Sequence, residues 1–152
     1  MQEQREVVVK DVARPQSVSS GDTAIPMYSS SPSAGFPAPG DDQVERVLDI
    51  NDLVVKNPAS TFFVRVEGDS MEGAGIFSGD VLVVDRSRES KDGVIVVAAI
   101  NGEMVVKRII KTSSRSGLEL VSENDEYAPI VVGEDEDCTV WGVVVGSVRT
   151  FG

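Results

Sequence analysis

One serine, one lysine and one pair of small residues carry the chemistry that this sequence offers. The serine is Ser70, within Val66-Glu67-Gly68-Asp69-Ser70-Met71-Glu72-Gly73-Ala74-Gly75-Ile76. A β-branched and aromatic run from Thr61 to Val66 stops at a glycine, exposes one serine and re-enters apolar sequence past two more glycines. A strand end, a tight turn and a serine whose amide begins a helical turn can present a nucleophile. Gly-Asp-Ser is equally ordinary turn chemistry. The sequence contains no histidine, which removes Ser-His-Asp and Cys-His schemes and the helical two-histidine zinc site. A nucleophilic serine in this chain needs a lysine, a carboxylate or an N-terminal amine as its base.

Lys107 is the candidate base. In Glu103-Met-Val-Val-Lys-Arg-Ile-Ile-Lys111, strand alternation puts Val105, Lys107 and Ile109 on one face and Met104, Val106, Arg108 and Ile110 on the other. Both faces carry a base, so periodicity leaves open which side is buried. If the Val105/Ile109 face is inward, Lys107 enters low-dielectric surroundings, which disfavour an ammonium. A neutral amine can then take a serine hydroxyl's proton. If that face is outward, Lys107 is a surface lysine with its stem lying on apolar neighbours. The candidate substrate is Ser31-Pro32-Ser33-Ala34-Gly35-Phe36-Pro37. Its prolines bias the preceding residues to extended backbone, and proteases commonly read a substrate as an added strand. A plain linker would have the same composition.

The elements that must position these residues are short and mostly β. Strands are expected at Thr61 to Glu67, Val81 to Asp85, Gly93 to Asn101, Glu103 to Lys111, Leu118 to Ser122 and Thr139 to Val148. Asn101-Gly102 signals a two-residue hairpin. Asp49 to Pro58 reads as one short helix, capped by Asp or Asn and stopped by Asn-Pro. Val7 to Val9 reads as one further short strand. From Arg14 to Gly40 the chain carries five prolines among serines and glycines, the composition of an extended arm. The expected architecture is a compact, rolled or barrel-like β domain over residues 41–152, preceded by an N-terminal arm over residues 1–40 that contains the cleavage candidate.

Composition sets the outer bounds. A chain of 152 residues can bury a core without disulfides or metals, and its one cysteine, Cys138, excludes an internal disulfide. The net charge of −11, from 25 acids and 14 bases, argues against direct nucleic-acid binding, which rests on clustered Lys and Arg. No apolar stretch approaches the ~20 residues of a membrane span, and the N-terminus lacks the marks of a secretory signal, so a cytoplasmic protein is expected. The acidic run Glu134 to Asp137 reads as a solvated turn rather than a metal site. No cofactor is expected.

The combination Ala34-Gly35-Phe36-Pro37, Gly68-Asp69-Ser70-Met71, Gly79-Asp80-Val81-Leu82-Val83-Val84-Asp85, Val105-Val106-Lys107-Arg108 and Val140-Trp141-Gly142-Val143-Val144 resembles the LexA/UmuD family of self-cleaving serine peptidases. The match runs from about residue 31 to residue 148. The resemblance implies that Ser70 is the nucleophile, Lys107 the general base and Ala34–Gly35 the bond cut. It also implies an oxyanion hole of main-chain amides near Ser70 and Met71. The short arm lacks the amphipathic helix pair of a DNA-reading domain and looks like the UmuD type, which serves an error-prone DNA polymerase in the SOS response. That branch implies a homodimer, cleavage promoted by the RecA–single-stranded-DNA filament, and a trimmed product that joins the polymerase's catalytic subunit. The alternatives are a non-enzymatic β interaction module and a LexA-type transcriptional repressor.

Overall fold

The computed structural model describes residues 6–14, 25–28, 44–112, 117–132 and 137–152. These residues group into two units, one within Met1–Pro15 and Asn57–Gly152, the other within Gln16–Lys56. The expected boundary between residues 40 and 41 lies outside the described residues.

The larger unit is built on strands β1 (Val8–Ala13), β4 (Thr61–Glu67), β5 (Val81–Asp85), β6 (Ile95–Ile100), β7 (Glu103–Lys111), β8 (Leu118–Val121), β9 (Ile130–Val131) and β10 (Cys138–Val148). Their order is β1-β4-β5-β10-β6-β7-β8-β9, and a further pairing of β1 with β7 closes the first six into a barrel. The expected barrel-like β fold is therefore the one observed. Strand β10 serves both β5 and β6, and register shifts between Val140 and Gly142 and between Val144 and Gly146 let it do so. Such bulges sharpen the local twist that closure needs. The β6–β7 hairpin turns at Asn101 (φ 49°) and Gly102 (φ 85°), the two positive φ values that a type I′ turn demands.

Alternation decides what goes inward. Phe62, Val64 and Val66 of β4, Leu82 and Val84 of β5, Val97 of β6 and Val106 of β7 meet Val7, Met71 and Ile76 in one buried cluster. The opposite faces of β6 and β7 send Val96, Ala98 and Ile109 to a second cluster with Leu120 and Val143. Strand β7 is thus covered on both sides, which is why its pattern reads as a nearly continuous apolar run. Lys107, on the Val105/Ile109 face, is fully buried.

In the smaller unit, β2 (Ile25–Tyr28) pairs antiparallel with β3 (Val44–Leu48), Ile25 opposite Leu48. The sequence pattern did not signal this pair: β2 contains Pro26, which a two-stranded ribbon tolerates because each strand has a free edge. The expected helix is shorter than its pattern, α1 spanning Ile50–Val54, with the Asp49 carboxylate accepting from the Asn51 amide at 2.8 Å. Pro58–Ser60 forms a separate 3-10 turn leading into β4.

Candidate active site

Ser70 sits in the turn that follows β4. Gly68 makes that turn with a φ of 120°, a value that side-chain-bearing residues rarely adopt. A 3-10 turn, Glu72–Ala74, follows and ends on the left-handed Gly75. The loop after β8 braces it from outside. Gly73 N donates to Glu123 O at 2.8 Å, Asn124 Nδ2 to Asp69 O at 3.1 Å, and Tyr127 Oη to Asp69 Oδ1 at 2.5 Å. Burial first, and the Asp69 carboxylate next, hold the Tyr127 phenol above its ordinary range, so this hydroxyl keeps its proton and donates.

Both sequence candidates are fully buried. Lys107 Nζ donates to Ser122 Oγ at 2.5 Å and pairs with the Glu6 carboxylate. The Tyr127 ring lies below it, 5.8 Å from Nζ to the centroid, close enough for a cation–π contribution. Ser70 Oγ accepts from the Val7 amide at 2.7 Å. Among the described residues no hydrogen bond joins Ser70 Oγ directly to Lys107 Nζ. The two groups meet instead on successive residues of one segment, Glu6 and Val7. Ala34 and Gly35 lie outside the described residues, as do residues 134–136 of the acidic run.

Four partners were missed by the sequence reading: Glu6, Val7, Ser122 and Tyr127. Glu6 is 101 residues from Lys107 and Val7 is 63 from Ser70, so no local spacing connects them. The β-prone run Glu6-Val7-Val8-Val9 was the one available signal. It indicated a strand without indicating its neighbours.

Residues 26–145 match the model of the Peptidase S24-like family. The chain belongs to that family. Protein ImpA of Escherichia coli is 40% identical to this S24-like chain over 132 residues, 86% of this chain and 88% of the relative. Protein MucA of Salmonella typhimurium is 40% identical over 126 residues, 82% of this chain and 84% of the relative. The LexA repressor of Bordetella avium is 38% identical over 117 residues, which cover 77% of this chain and 54% of the repressor. These matches bear out the resemblance to the LexA/UmuD family and its UmuD-like mutagenesis proteins. As an S24-like protein of this group, the chain is a serine peptidase of the LexA/UmuD type. Among the described residues no helix is long and apolar enough to cross a membrane.

Proposed function

We propose that this S24-like chain cuts its own Ala34–Gly35 bond, with Ser70 as nucleophile and Lys107 as general base, and that the trimmed form serves an error-prone DNA polymerase in the SOS response. One observation carries the catalytic part. Ser70 Oγ and Lys107 Nζ, 37 residues apart in sequence, are both fully buried and both engage the same two-residue stretch of extended chain. A nucleophile and a base that converge on one stretch of extended chain are what acyl transfer needs.

The steps follow from that placement. The segment Ser33-Ala34-Gly35-Phe36 docks as a strand beside the Ser70 turn. Lys107, as a neutral amine, takes the Ser70 hydroxyl proton while Oγ bonds to the Ala34 carbonyl carbon. The tetrahedral oxygen is stabilised by main-chain amides around Ser70 and Met71. Among the described residues these two amides donate to no backbone carbonyl. The carbon–nitrogen bond breaks, and the proton held by Lys107 passes to the Gly35 amine. Water then hydrolyses the ester on Ser70, freeing residues 1–34. Because the substrate is tethered, its effective concentration is high, and docking of the arm together with desolvation of Lys107 makes the slow step. A homodimer, stimulation by the RecA–single-stranded-DNA filament and union with the polymerase's catalytic subunit belong to the same proposal, on the strength of family membership.

The direct test is intact mass after incubation at alkaline pH. The unmodified chain should lose the mass of residues 1–34, and Ser70→Ala should stay whole and folded. A fragment beginning at Gly35 from purified Ser70→Ala would refute the assignment.

A further inference from the structure

The peptide unit beside Ser70 in this structure belongs to the chain's own N-terminus rather than to the cleavage segment. Strand β1 pairs with β4 along Val8↔Glu67 and Val9↔Val66, and with β7 through Val8↔Val105. Just before it, Val106 N donates to Val7 O at 3.1 Å, Val7 N donates to Ser70 Oγ, and the Glu6 carboxylate pairs with Lys107. The backbone comes very close here. A Cβ added at Gly68 would stand 2.1 Å from Glu6 O, so only a glycine in the turn admits the strand at this depth.

We propose that the space between the edges of β4 and β7 is the peptide seat of the site, and that residues 6–9 are its resident occupant, which must leave before cleavage. This rests on the reading of Ser70 and Lys107 as a peptidase pair. The seat takes an extended segment antiparallel to β4 and binds it by its main chain, with Lys107 placed to receive a carboxylate. The resident strand disables both catalytic groups. Ser70 Oγ spends a lone pair on an amide hydrogen instead of facing a carbonyl carbon. Lys107 Nζ is spent on the Glu6 carboxylate instead of facing Ser70 Oγ. The cleavage segment Ser31 to Pro37 contains no acid. Exchanging it for residues 6–9 therefore removes the counter-charge from Lys107 in the same step that brings in the substrate. Cleavage after Ala34 then severs the resident strand from the barrel that holds it.

A reversible lock tests the exchange. Asp11 and Arg65 are paired, exposed positions on β1 and β4, and antiparallel partners lie within disulfide reach. Asp11→Cys with Arg65→Cys, in a Cys138→Ala background, ties β1 in place when oxidised. The locked chain should release the fragment beginning at Gly35 at least ~10-fold more slowly than the same chain after reduction, since each tenfold corresponds to about 1.36 kcal/mol of barrier. Equal rates in the two states would overturn the proposal. Glu6→Gln, which keeps the side chain's shape and removes its charge, should cleave at least about threefold faster than the unmodified chain, since losing the charge-assisted bond weakens the resident strand's hold on Lys107. This variant decides the matter if the reduced double-cysteine chain does not cleave, and no gain in rate would then overturn the proposal. If the unmodified chain itself releases no fragment, the peptidase reading fails and this inference fails with it. Cleavage by the unmodified and locked chains alike sinks the resident strand alone.

Discussion

Replacing Lys107 by methionine separates the catalytic role proposed for this residue from its structural one. The substitution nearly conserves the side chain's volume and deletes Nζ. Two partners lose their donor. Ser122 is buried, and leaving its hydroxyl unsatisfied costs about 1–3 kcal/mol. The Glu6 side chain is 36% exposed, so water reaches its carboxylate and the penalty for an unpaired buried charge is largely avoided. An apolar side chain in place of a buried ammonium also removes that ion's desolvation cost, which often matches what the ion pair returned. The net loss of stability should therefore be about 1–3 kcal/mol, read as a shift in the urea midpoint at unchanged slope. The rate should fall far more. A positioned general base contributes about 10²–10⁴-fold, or roughly 3–5 kcal/mol of barrier. Rates of fragment release by intact mass, taken under one set of conditions, make the comparison. Lys107→Met should be slower than the unmodified chain by that factor. A folded Lys107→Met chain that cuts within tenfold of the unmodified rate would refute the general-base assignment.

Two further outcomes concern the scaffold. Gly68→Ala puts a methyl group 2.1 Å from Glu6 O at a φ of 120°, a backbone strain of about 1–3 kcal/mol. It should lower the melting temperature and speed amide exchange at Val8, and an unchanged melt would contradict the close approach of the two backbones. Burial alone would raise the pKa of Asp85, but hydrogen bonds from Ser87, Asn57 and Ser60 outweigh it and hold the carboxyl well below its usual range. A folded value below the unfolded ~3.9 contributes stability that is present above that pH and lost as pH falls through the folded value. Asp80, lowered chiefly by its hydrogen bond from Arg149, adds the same sign. Urea midpoints should therefore drop steeply below about pH 4. Asp85→Asn should be less stable at neutral pH with a shallower acid limb, and an equally steep limb would assign the acid sensitivity elsewhere.

Much of the barrel was legible because its signals are local. Thr61–Glu67, Val81–Asp85 and Glu103–Lys111 have the bounds that their β-branched runs indicate, and Asn101-Gly102 turns where its two positive φ values require. Strand β2 was not legible, since Pro26 argues against a strand until its partner β3 is known. The face of Lys107 was ambiguous for a similar reason. Alternation assigns neighbours to a face, and only the packing of β6, β8 and the barrel interior shows that both faces of β7 are covered.

The sequence by itself determined the chemistry open to this protein. The absence of histidine removes imidazole as a base for the glycine-flanked Ser70 and leaves a lysine, a carboxylate or an N-terminal amine, and the resemblance to the LexA/UmuD family singles out Lys107 among them. What only the tertiary structure decided is the occupancy of the site. Closure of the barrel by β1 brings Glu6 onto Lys107 and Val7 onto Ser70 across separations of 101 and 63 residues. Contacts of that kind depend on which sheet edges are left to be paired, and neither periodicity nor spacing along the chain records that.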